Sequence, residues 1–133
     1  MSEGFKLEIV NPEKSFLSKD GVSEVVVPAF EGEMGILKDH ISIISFLKPG
    51  LLKVFKSDSN EETYYVEDGI IEFKNNCLSI LTSNIFNIKK IDKNIVRVAL
   101  TKAEKDTQNK DISDQKKYLL DQKIEVLKSF TLN

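Results

Sequence analysis

The sequence predicts an antiparallel β-sandwich or flattened barrel of about eight to ten strands, followed by an α-helical hairpin. Apolar residues alternate with polar ones at a period of two through roughly the first 85 residues. Gly, Pro, Asn or Asp bounds each alternating run, at the close spacing of an all-β domain. From Asp92 onward the apolar period changes to that of a helix. The chain therefore divides into a sandwich domain over residues 1–86 and a two-helix domain over 87–133.

Phe5, Leu7 and Ile9 alternate with Lys6 and Glu8 as a half-buried strand that Asn11-Pro12 ends. Phe16-Leu17 opens a second short strand, Asp20-Gly21 reads as a turn, and residues 22–27 form a third strand that Pro28 stops, because proline donates nothing to a ladder. A loop then leads to a strand over 34–37, a polar turn at Lys38-Asp39, and a strand over 41–47 closed by Lys48-Pro49-Gly50. Residues 51–56 are followed by a polar hairpin loop, Ser57-Asp58-Ser59-Asn60. Residues 63–67 pair with 70–74 across Asp68-Gly69, and Asn75-Asn76 turns the chain into a last strand over 77–82.

Asp92 is a good N-cap for a helix with Ile95, Ala99, Lys102 and Ala103 on one face and Val96 and Leu100 alongside. Gln108-Asn109-Lys110 links it to a second helix capped by Asp111 or Ser113. Its apolar stripe is Leu120, Ile124 and Leu127, backed by Leu119 and Phe130. Each helix has a narrow apolar face and is marginal alone, so its stability must come from packing on its twin, on the sandwich or on another protein.

Composition excludes several functions. A net charge of −2 and a single arginine, Arg97, give no clustered positive excess for nucleic acid. One cysteine, Cys77, rules out an internal disulfide and fits a reducing, cytoplasmic setting. No apolar run approaches the ~18 residues of a membrane span, so any membrane association comes through a partner. The start, with Glu3 and then an alternating strand, resembles neither a secretory signal nor an arginine-rich transit peptide. His40 beside Asp39 invites a general-base reading, but strand neighbours face opposite ways and no nucleophile stands at a defensible spacing. A single histidine with scattered carboxylates gives no metal-ligand set. Gly32 and Gly35 are spaced like part of a phosphate cradle, yet Glu31 and Glu33 flank Gly32 and repel an anion. No catalytic site emerges.

The stretch EGEMGILKDHISIISFLKPG, residues 31–50, resembles the ε subunits of bacterial F-type ATP synthases, with Glu31, Gly32, Gly35, Ile36, His40, Leu47, Lys48, Pro49 and Gly50 in register. YYVEDGIIEF, followed by CLSILTSNI, is similar to the family's second signature. The helical part matches only in length and pattern. The resemblance implies a non-catalytic rotor subunit, whose sandwich packs on the γ subunit and on the c ring of the membrane sector. It places Glu31, Gly32 and Glu33 in the loop facing the ring and His40 near γ. The hairpin would lie folded on the sandwich or extend toward the catalytic α/β head. There Lys116, Lys117, Lys123 and Lys128 would meet acids of β and brake ATP hydrolysis.

The chain departs from the family pattern in several places. Lys38 and Ser42 stand where the family carries prolines, and Asp68 replaces the first of two paired glycines. Some members bind ATP through I-D-x-x-R-A at the start of the first helix; here Ile91-Asp92 is followed by Lys93-Asn94-Ile95-Val96. Arg97 lies two residues beyond the matching position, about 200° around the helix. Weak or absent ATP binding and no other cofactor are therefore expected. The rival reading is a stand-alone β-sandwich ligand-binding module with a helical oligomerisation arm. The absence of tryptophan and the placement of the aromatics within alternating strands count against it.

Overall fold

The computed structural model describes residues 4–12, 14–56 and 60–131, without the side chains of 14–16, 130 and 131. The loop at residues 57–59 and the side chains of Phe16 and Phe130 lie outside the described residues. Among the described residues nine strands precede two helices: β1 Phe5–Asn11, β2 Lys14–Ala29, β3 Gly32–Leu37, β4 Ile43–Leu47, β5 Gly50–Lys56, β6 Glu61–Val66, β7 Gly69–Lys74, β8 Cys77–Leu81, β9 Ile85–Asn87, α1 Lys93–Asp106 and α2 Asp114–Thr131.

Strand order is β1-β8-β7-β4-β2-β5-β6-β9, with β3 on β2 and β1 also paired to β2. The long β2 thus belongs to both layers. Its first part pairs with β1, and its second part with β3 and β5. Pairing is antiparallel except between β1 and β8, which run parallel from Lys6 opposite Cys77 to Val10 opposite Leu81. Between the layers lie Phe5, Leu7, Ile9, Val25, Val27, Ile36, Leu52, Val54, Ile71, Phe73, Leu78 and Ile80, all buried. Phe5 meets Phe73 edge to face at 5.4 Å, a favoured aromatic geometry.

Several sequence expectations are corrected. Residues 63–67 and 70–74 do not pair with each other across Asp68-Gly69: β6 pairs with β5 and β9, whereas β7 pairs with β4 and β8 in the other layer, and the strand expected to be last is followed by β9. Asp20-Gly21 is no hairpin turn, because the segments on either side of it pair with different strands. β2 runs through it, with Gly21 at φ 67° and register shifts beside it, as in a bulge that re-aims a strand. Pro28 does not stop β2 either: it sits opposite Glu33 one residue before the strand ends, and its carbonyl accepts from the Lys48 amide at 3.0 Å. Finally, β4 starts at Ile43, leaving Ile41 78% exposed in the connection.

The helix caps match expectation. Asp92 Oδ1 accepts from the Asn94 amide at 2.8 Å, and Ser113 Oγ accepts from the Lys116 amide at 3.1 Å. The packed face of α1 differs, however. Val96 and Ala103 are buried, with Ala99 and Leu100 partly so, whereas Ile95 is 59% exposed. α1 is apolar on several sides, and the sandwich selects which side packs. On α2 only Leu127 of the expected stripe is fully buried.

Candidate interaction surfaces

The two sheet faces that point away from the core have opposite fates. On the β5–β6 side, Leu51 stands opposite Tyr65. There Tyr65, Val96 and Leu127 are fully buried, with Leu51, Ile88, Ile91, Ala99, Leu100 and Val126 packed around them. The hairpin therefore lies folded on this face. Glu67, the residue after β6, takes Lys123 Nζ at 2.9 Å and the Tyr65 hydroxyl at 3.2 Å on the same carboxylate oxygen. Burial, and then the negative charge of Glu67, push the Tyr65 phenol well above its ordinary value. A second tie joins Lys48 Nζ to the Tyr118 hydroxyl at 3.4 Å, with the ammonium 5.9 Å from the ring centre.

The other face is bare. Phe46 pairs with Ile70, Ile70 with Leu81, and Leu81 with Val10, so one outward row of large apolar side chains crosses β4, β7, β8 and β1. All four are exposed, Phe46 by 60%. In the adjacent row, Ile44 faces Glu72, followed by Ser79 and Glu8. A contiguous apolar row rimmed by polar groups is the surface signature of a protein interface.

Glu31 and Glu33 are exposed beside the β2–β3 hairpin, where Ala29 pairs with Gly32 and Phe30-Glu31 forms the tip. The Phe30 amide is tied to the Phe46 carbonyl at 3.0 Å. Phe30, Phe46 and Leu47 share an open cleft of about 370 Å³ with Gln115 and Leu119 of α2. The tip and the hairpin thus meet at one end of the sandwich.

His40 is partly buried after the β3–β4 turn, its ring edge-to-face with Phe73 at 5.9 Å and its Nδ1 2.7 Å from the Ile41 carbonyl. Asp39 and Asn76 exchange two hydrogen bonds, of 2.7 and 2.9 Å, that tie this turn to the β7–β8 turn. Asp39, Asn75 and Asn76 all take positive φ, which short polar side chains tolerate.

The four candidate lysines of α2 are not equivalent. Lys116 and Lys117 are exposed, and Lys128 lies 4.0 Å from Glu104 of α1. Lys123 is engaged with Glu67. At the start of α1, the side chain of Asp92 serves as the N-cap and Arg97 donates to Asn94 at 2.6 Å. At the far edge of the sandwich, hydrogen bonds from Lys19 and Tyr64 hold the Glu62 carboxyl below its ordinary value.

Among the described residues no group of three or more His, Cys, Asp or Glu could hold a metal ion, and no helix is long and apolar enough to cross a membrane. Glu67, Tyr65 and the bare row are not among the site residues that the sequence leads one to expect. Their signal lies in the doubled apolar steps Ile9-Val10, Phe46-Leu47, Leu51-Leu52, Tyr64-Tyr65, Ile70-Ile71 and Ile80-Leu81. A strand apolar at successive positions has both faces covered or awaiting cover.

A family model described as the beta-sandwich domain of the ATP synthase Delta/Epsilon chain matches residues 4–88. An ATP synthase epsilon chain of Pelagibacter ubique is 73% identical over 133 residues, all of both chains. One from Dichelobacter nodosus is 38% identical over 79% of this chain and 73% of its own. Among solved structures, a chain of the Euglena gracilis mitochondrial ATP synthase superposes with a TM-score of 0.75 at 21% identity, covering 97% of this chain and 79% of that one, which is a likeness of fold. The matched model spans more than half of the sequence and the first of these relatives its whole length, so the chain belongs to the ATP synthase delta/epsilon chain family.

Proposed function

We propose that the chain is a non-catalytic central-stalk subunit of an F-type ATP synthase. In that role it couples rotation of the c ring to the α/β head through γ, held peripherally at the cytoplasmic face of a bacterial inner membrane. The observation that carries this reading is the bare row of Val10, Leu81, Ile70 and Phe46. It offers γ a flat apolar face, with His40 at the opposite end of the same sheet. The hairpin end at Glu31, Gly32 and Glu33 is the proposed ring contact, supported by the exposure of both carboxylates. ATP is not part of this reading: exposed Ile95 stands where ATP-binding members carry an arginine, and Arg97 is turned to Asn94.

Co-purification of the full chain with γ tests the assignment. Ile70→Asp sets a carboxylate at the centre of the row, where burial without a partner is costly. The variant is expected to fold, because Ile70 is outward, and to bind γ about 30-fold or more weakly, the scale of an interface hot spot. Unchanged binding would refute the γ-facing assignment.

The hairpin is the proposed brake on hydrolysis, with Lys116, Lys117, Lys123 and Lys128 reaching acids of β when it leaves the sandwich. Deleting residues 92–133 is expected to leave a subunit that still assembles and to raise hydrolysis by the complex. Assembly with unchanged hydrolysis would show that the hairpin is no brake.

A further inference from the structure

We propose that Glu67, Lys123 and Tyr65 form a latch that holds the hairpin down, and that Lys123 can reach a partner's acid only by giving up Glu67. The Lys6–Glu8 and Lys19–Glu62 pairs stay within the sandwich, and Lys128–Glu104 stays within the hairpin. Lys123–Glu67 joins the two. Its side chains are only 23% and 24% exposed, so the pair is screened less than a surface ion pair.

Its position suits a latch. Tyr65 lies in the apolar cluster beneath the hairpin, and its hydroxyl donates to the same Glu67 oxygen that Lys123 reaches. Lifting α2 would uncover the Tyr65 ring and strip Glu67 of its cation together. Removing one charge leaves the other partly buried and uncompensated, a loss that falls only on the docked state. In the released state both groups return to water. A carboxylate on a partner would then compete with Glu67 for one ammonium, so hairpin position becomes an exchange of one acid for another. The latch itself is intramolecular; only the competing acid rests on the proposed function.

The test uses the isolated full chain, with hydrogen exchange read separately over α1 and α2 and over the strands. Glu67→Gln and Lys123→Gln are each expected to speed exchange of both helices about tenfold while β-strand exchange stays unchanged. The reversed pair Glu67→Lys with Lys123→Glu should recover most of the lost protection. Single variants that leave helix exchange within about twofold of the parent, or a reversed pair no better than the singles, would overturn the latch. The γ binding measurement is independent of this one, so failure of the latch and failure of the central-stalk assignment are distinguishable.

Discussion

Gly69→Ala is expected to destabilise the sandwich by about 3 kcal/mol or more, combining backbone strain with a steric clash. Gly69 holds φ 148°, which L side chains rarely adopt, and a Cβ there would sit 2.4 Å from the Leu81 carbonyl oxygen. That oxygen belongs to a neighbouring strand and cannot swing aside as a side chain would. Leu47 and Thr82 close the remaining space at 3.2 Å each. In a domain of this size such a loss lowers the melting temperature by roughly 10 °C or more, measurable by circular dichroism. A shift of only one or two degrees would refute the argument. Asp68→Gly is the contrasting control. Asp68 is not among the positive-φ residues and accepts a hydrogen bond from Ser83 at 3.2 Å, so the first glycine of the family's pair is not needed here. The control should cost about 1 kcal/mol.

Local features of the chain were legible because their causes are local. Alternation in 5–9 and 70–74, the caps at Asp92 and Ser113, and the polar turn at Asn75-Asn76 depend on residues within a few positions of each other. The parallel pairing of β1 with β8 joins residues about 70 positions apart, and alternation is blind to it. The same holds for β2: a Gly after an Asp spells a turn, unless the flanking segments find different partners, as they do with β1 and β5. On α1, apolar residues at 95, 96, 98, 99 and 100 leave the buried side undecided, and docking on Tyr65 selects Val96 over Ile95. Among the candidate site residues, the exposed tip at Glu31 and Glu33 was foreseeable from its turn chemistry. That Lys123, unlike Lys116 and Lys117, is held by an acid of the sandwich was not, because it requires the hairpin to be folded on the β5–β6 face.

Leu127→Ala is expected to release the hairpin while leaving the sandwich intact. Truncating a fully buried leucine costs roughly 2–5 kcal/mol. Among the described residues three fully buried side chains hold the hairpin cluster, Tyr65, Val96 and Leu127, whereas the sandwich core is far larger and does not include Leu127. Helices of 14 and 18 residues are marginal alone, so the hairpin has little stability of its own with which to absorb the loss. The cost therefore falls on docking. Hydrogen exchange should show α1 and α2 losing protection by about 30-fold or more, with the core strands unchanged. A protease should cut the link between the helices, or α2 itself, far faster than in the parent chain. If the variant instead keeps helix protection relative to the strands and the whole domain melts earlier, the hairpin and sandwich unfold as one cooperative unit. A hairpin that cannot leave a folded sandwich could not act as a brake, so this measurement on the isolated chain bears on the proposed regulation before any complex is assembled.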